Sequence, residues 1–283
     1  MKKVFQSYNV KTIETPTTIE IYEYLDDPVI YSLGSHDEEL LSDYIHSEEN
    51  DDEQQKKEDD KKALKHYDAL RRKQKHYEAM RWEIARIIDC NFDNDTKFMT
   101  LTFRDNIKDV SYTNKELKKF IKRLNYNLYK TKKHHLKYLA VWEKQKRGAI
   151  HYHIIFFDFP YIEAIKLEQI WSQGFIKINK IDVDSKDNRG RYVSKYFSKD
   201  IDEKDYKQKA FFKSQNLILP EIKHFNTYGE KPFDLEEKNI VYTKTYTRKV
   251  PKFEYGGIDI SFKESTVKYT KIRKEDIKND NDN

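Results

Sequence analysis

Alternation of apolar and polar positions is clearest between residues 97 and 181. Residues 97–104, KFMTLTFR, set Met99, Leu101 and Phe103 against Phe98, Thr100 and Thr102, the period of two expected of a half-buried strand. Residues 113–131 switch to helical spacing: Thr113 and Glu116 form a capping box, and Leu117, Phe120, Ile121, Leu124 and Leu128 make one stripe. Residues 138–143 and 149–157 return to strand patterning on either side of the polar link KQKRG. Pro160 then opens a helix through Trp171, Gly174 ends it, and residues 175–181, FIKINKI, alternate again. The order β-α-β-β-α-β predicts an α+β fold of the ferredoxin-like split βαβ (βαββαβ) type. In it an antiparallel sheet carries helices on one face and leaves the other for an active site.

Around this centre the patterning is weaker. Residues 63–88 carry Tyr67, Leu70, Tyr77, Ile84 and Ile88 at helical spacing with six Lys/Arg from Arg71 to Arg86 among them, which predicts a basic amphipathic helix. Residues 35–62, ending in SEENDDEQQKKEDDKK, lack periodicity and predict a disordered or loosely helical linker. A further helix is expected at 188–199, β-rich fragments such as 239–246 beyond residue 205, and a polar tail from 271. The linear division this suggests is an acidic, partly disordered segment 1–62, a basic helix 63–90, an α+β domain 91–204, a β-rich extension 205–270 and the tail 271–283.

Charge sharpens the division. Residues 1–62 hold 17 Asp/Glu against 7 Lys/Arg, so the net +5 of the whole chain conceals a strongly basic remainder. Residues 115–147 alone carry 12 Lys/Arg and 2 Asp/Glu, interleaved with Tyr126, Tyr129, Tyr138 and Trp142, a mixture suited to phosphates and stacked bases and equally compatible with a solvated lysine-rich surface. The seven glycines, at 34, 148, 174, 190, 229, 256 and 257, leave no place for a GxxxxGK[ST] phosphate loop or a GxGxxG dinucleotide turn, so no nucleotide cofactor is expected. One cysteine, Cys90, permits no internal disulfide. No stretch approaches the roughly 18 apolar residues of a membrane span, and Met1-Lys2-Lys3 leads into mixed polar sequence. A soluble protein inside the cell, without a membrane partner, is expected.

Candidate chemistry lies in two places. On the strand IHYHIIF, His151 and His153 project from one face and Ile150, Tyr152, Ile154 and Phe156 from the other; folding the preceding strand back across residues 145–149 brings Glu143 beside His151. Two imidazoles and a carboxylate on rigid strands are able to hold a divalent metal with open positions for water or substrate, although H-x-H alone also describes structural histidines. Some 40 residues later, in GRYVSKYFSK, Tyr192 and Tyr196 are an i, i+4 pair on one helix face with Lys195 and Lys199 beside them.

Together, FMTLTF at 98–103, HYH at 151–153 and YVSKYFSK at 192–199 resemble the three ordered motifs of the rolling-circle replication initiators, the His-hydrophobe-His endonucleases of plasmids and single-stranded DNA phages; EKQKRGAIHYH and the WSQGF at 171–175 add to the likeness. The tyrosines follow the histidines, as in initiators, whereas in conjugative relaxases they precede them. The resemblance implies a DNA-nicking and strand-transferring enzyme over residues 91–204. Glu143, His151 and His153 would bind Mg²⁺ or Mn²⁺, and Lys195 and Lys199 would assist the phenolate or the phosphate charge; Gly190 and the polar run 184–191 put Tyr192 in the first turn of its helix, so Tyr192 is the expected principal nucleophile and Tyr196 the second. It also implies single-stranded or hairpin origin DNA as substrate, a host helicase and polymerase as partners, and the cytoplasm of a bacterial host as the setting. A transposase of the same superfamily, or a non-catalytic single-strand binding or copy-control protein on the same fold, are the other readings.

Overall fold

Strand pairing organises the structure, a computed structural model that describes residues 5–32, 78–181, 211–227, 240–252 and 261–274. In chain order the described elements are β1 (Phe5–Tyr8), β2 (Val10–Glu14), β3 (Thr18–Tyr24), β4 (Val29–Ser32), helix α1 (78–91), β5 (Lys97–Phe103), α2 (Val110–Tyr129), β6 (Lys137–Lys144), β7 (Ile150–Phe157), α3 (Ala164–Trp171), β8 (Gly174–Lys180), β9 (Phe212–Lys213), β10 (Glu221–Phe225), β11 (Ile240–Lys252) and β12 (Ser261–Arg273). They fall into two units, residues 60–219 and residues 1–59 with 220–283.

The central unit has the expected α+β architecture. Its sheet runs β8-β5-β7-β6-β9 with every neighbouring pair antiparallel, and β5-α2-β6-β7-α3-β8 is the split βαβ order. Met99, Leu101 and Phe103 from β5 and Tyr152, Ile154 and Phe156 from β7 pack against Leu117, Phe120 and Leu124 of α2 and Leu167 and Trp171 of α3. Strand alternation therefore sends His151 and His153 to the opposite face. That face is not wholly free, because Ile84, Ile87 and Ile88 of α1 cover Leu139, Val141, Ile155 and Phe157 on it. The apolar stripe of the basic helix thus packs on the domain.

Two helix starts differ from the sequence expectation. Helix α2 begins three residues earlier than Thr113, where Asp109 caps it by accepting from the backbone N–H groups of Ser111 and Tyr112. Thr113 is buried instead, its hydroxyl accepting a bond of 3.1 Å from Tyr152 Oη while donating to the Val110 carbonyl. Helix α3 begins at Ala164 and ends in a left-handed Ser172, so Pro160 lies outside it and Gly174 opens β8.

Gly174 is required by close approach: a Cβ there would lie 2.2 Å from the Thr102 carbonyl oxygen and 2.6 Å from the Arg104 nitrogen. The same carbonyl accepts from Trp171 Nε1 at 3.2 Å. Gly174→Ala is expected to push β8 off β5 and cost about 1–3 kcal/mol, read as a lower urea midpoint; an unchanged midpoint would contradict this packing.

The other unit corrects the division at residue 62. Residues 5–32 are not part of one acidic segment but form four strands; β2 and β3 occupy the middle of a second sheet, ordered β10-β2-β3-β12-β11, and β1 pairs with β4. Residues 205–270 are likewise not one extension, since β9 edges the central sheet while β10, β11 and β12 join the N-terminal strands. Tyr8, Val10, Ile13, Ile21 and Val267 are buried in this second unit. Among the described residues, no helix is long and apolar enough to cross a membrane.

Candidate metal centre

The hairpin of β6 and β7 sets the centre. Gln145 donates from its backbone N–H to the Ala149 carbonyl, Gly148 donates to that of Gln145, and Gly148 adopts a left-handed φ of 82°. This turn fixes a register in which Glu143 stands opposite His151 and Val141 opposite His153. On the other side β5 places Thr102 opposite His151 and Thr100 opposite His153.

Glu143 Oε2 lies 2.6 Å from His153 Nε2 and 3.2 Å from His151 Nε2. The side chains of both histidines are 14% exposed and that of Glu143 24%, so the group is sheltered yet open on one side. His151 Nε2 is buried and makes no hydrogen bond, although Glu143 Oε2 lies 3.2 Å away. The remaining ring nitrogens are engaged: His153 Nδ1 is 3.2 Å from Thr100 Oγ1, and His151 Nδ1 is 3.2 Å from Gln145 Nε2. Gln145 is itself held by Arg147 Nε, which donates to its Oε1 at 3.0 Å. Phe98 stacks on His153 with ring centroids 5.4 Å apart. Such outer contacts fix ring orientation and aim each Nε2 inward.

One ligand atom from each of Glu143, His151 and His153 lies within 4.8 Å of the others, and two imidazole nitrogens with a carboxylate oxygen suit a divalent cation that keeps open positions. The orphaned His151 Nε2 fits the same requirement, since a metal would satisfy it. Tyr152, between the two histidines in sequence, points to the core instead; burial pushes its phenol far above the ordinary tyrosine range, which removes it as a nucleophile. Tyr192, Lys195, Tyr196 and Lys199 lie outside the described residues.

Residues 96–201 match the family of the replication-associated protein ORF2. The span includes Glu143, His151 and His153 as well as the tyrosine segment 192–199. A further relative is a protein of Escherichia coli described as Phasyl DNA replicon protein arp, 30% identical over an alignment of length 154 that covers 46% of this chain and 52% of that protein. The chain therefore spans about half the length of that curated relative. No solved structure matches the chain. The similarity to replication-associated proteins agrees with the replication class expected from the motifs, and it falls on the unit that carries the histidine pair.

Four neighbours of the centre were not singled out from the sequence. Thr100 and Gln145 touch the imidazoles, and on edge strand β8 Phe175 lies in register with Thr102, and Lys177 with Thr100, on the centre's own face. Phe175 is 63% exposed and Lys177 is exposed. The readable signal was an aromatic ring at an outward strand position; register with the histidines came only with sheet order. Conversely, the exposed Lys115, Lys118 and Lys122 of α2 lie across the sheet from the centre, whereas Lys144, Lys146 and Arg147 are exposed on the hairpin that carries Glu143.

Proposed function

We propose that this protein initiates rolling-circle DNA replication as a metal-dependent single-strand endonuclease and strand transferase of the His-hydrophobe-His type. The observation that carries the reading is the convergence of Glu143 Oε2 with the Nε2 atoms of His151 and His153, inside a span similar to replication-associated proteins. Mg²⁺ or Mn²⁺ bound there would polarise and orient the scissile phosphate.

The chain's own residues supply the rest. A single DNA strand crossing β8 towards β7 meets the Phe175 ring for base stacking and Lys177 for a phosphate, while Lys144, Lys146 and Arg147 draw the strand to the hairpin end of the sheet. Thr100 and Gln145 hold the imidazoles in place through their Nδ1 atoms. Tyr192 Oη attacks phosphorus, losing its proton; the P–O3′ bond breaks, the departing oxygen takes a proton, and the products are a 5′-phosphotyrosyl protein and a free 3′-hydroxyl for a polymerase to extend. Lys195 and Lys199 favour the phenolate or offset phosphate charge, and Tyr196 serves the later strand transfer that closes the circle. Unwinding and synthesis fall to a host helicase and polymerase in the bacterial cytoplasm.

The reading is tested by incubating the full chain with single-stranded and supercoiled origin-bearing DNA in Mn²⁺ or in EDTA. Nicking in Mn²⁺ that EDTA abolishes is the expected result, and undiminished nicking in EDTA would contradict it.

A further inference from the structure

The sheet β10-β2-β3-β12-β11 carries a cross-strand row that the nicking reaction does not use. Its register aligns His224 with Lys11, Lys11 with Tyr22, Tyr22 with Tyr269 and Tyr269 with Lys244. Cross-strand partners share a face, so two tyrosines stand side by side with a lysine at each end. A third tyrosine, Tyr242, lies one step along β11 on the same face: the Tyr22 and Tyr269 centroids are 4.9 Å apart, and those of Tyr269 and Tyr242 are 6.1 Å apart. Tyr242 is 50% exposed, and Tyr22 and Tyr269 are partly exposed.

Basic side chains predominate on this face where it meets solvent, and Asp27 pairs there with Lys263 at 2.6 Å. Alternation places Lys244 and Arg248 of β11 and Lys263, Lys271 and Arg273 of β12 on this face, and Glu264, the single acid of the two strands, on the opposite one. Glu20, the acid nearest the row, is buried and accepts a hydrogen bond from Tyr22 Oη. Among the described residues Lys11 and Lys244 have no ion-pair partner.

We propose that the tyrosine row of this sheet is a second binding surface for single-stranded DNA, with bases stacked on Tyr22, Tyr269 and Tyr242 and phosphates met by Lys11 and Lys244. The rings are tilted against one another by 53° and 56°, and partly exposed rings on a sheet offer stacking surfaces to unpaired bases, whereas a duplex hides its base faces in the stack. Lys11 and Lys244, at the two ends of the row, stand where the single backbone would enter and leave the stacked bases. The surface lies wholly within the unit formed by residues 1–59 and 220–283, so it stands independently of the nicking reading.

The test uses the full chain in EDTA, which stops metal-dependent cleavage, and a fluorescent oligothymidylate of about 20 nucleotides read by anisotropy. Tyr242→Ala is expected to weaken binding about 5- to 100-fold and Tyr242→Phe to leave it unchanged. Lys244→Glu should weaken binding and lower the salt slope by about one phosphate, while Lys249→Glu, the same charge change on the opposite face of β11, should not. Circular dichroism checks that each variant is folded, and cross-linking of an iodouracil oligomer to the wild type should map to Tyr22, Tyr242 or Tyr269. Unchanged binding by Tyr242→Ala, equal losses from the two lysine variants, or cross-links confined to residues 60–219 would each overturn the proposal.

Discussion

On the proposed reading, His151→Ala and His153→Ala are each expected to lower metal-dependent cleavage by about 10³-fold or more, because either change would remove one of three protein ligands of an ion that would polarise the phosphate. Both rings stand on the face of β7 opposite the helix-packed core, so the losses should come with near-normal secondary structure and little change in thermal midpoint. Titration of Mn²⁺ into each variant should show the same loss as weakened binding, which separates a ligand from a residue that only touches DNA. Glu143→Ala should retain more activity than either histidine variant, since water is able to replace one carboxylate oxygen. Wild-type metal affinity in both histidine variants would remove the centre from the account.

Deleting residues 1–62 has an expected effect opposite to the one suggested by charge alone. As an acidic segment tethered to a basic body, the region would be dispensable or inhibitory. In the structure the deletion takes β2 and β3 out of the middle of a sheet, separating β10 from β12 and stripping Tyr8, Val10, Ile13 and Ile21 from the core. Each such side chain contributes about 1.5–3 kcal/mol when fully buried, so the remaining strands have no cooperative fold to form. Limited proteolysis should then digest residues 220–283 rapidly while residues 78–181 stay protected; protection of both would show that the N-terminal strands are not needed.

What the sequence made legible depended on how local the signal was. The histidine pair, its strand and the facing Glu143 could be read because a short hairpin fixes their register within a few residues. Helix α2 was misplaced at its start because Thr113, a good capping residue by type, spends its hydroxyl on Tyr152, whose position depends on β7. The strands at 5–32 were missed because an average over residues 1–62 let the acids of 37–60 mask the strand patterning of VKTIE and TIEIYEY. Their partners, β10 and β12, lie some 200 residues away, beyond the reach of any local pattern. The tyrosine row was invisible for the same reason: Tyr22, Tyr242 and Tyr269 become neighbours only through sheet order.

In the proposed reaction a tyrosine of the segment 192–199 becomes bonded to DNA at the candidate metal centre. The most direct measurement is to cleave a 5′-and-3′ differently labelled single strand in Mn²⁺, digest the protein and sequence any peptide attached to DNA by mass spectrometry, for the wild type and for Tyr192→Phe and Tyr196→Phe. The expected result is a peptide carrying the 5′ end of the cut strand through Tyr192, lost in Tyr192→Phe and kept in Tyr196→Phe, with a free 3′-hydroxyl on the other fragment. A nick that leaves both ends free of protein, with a 5′-phosphate released by water, would contradict it.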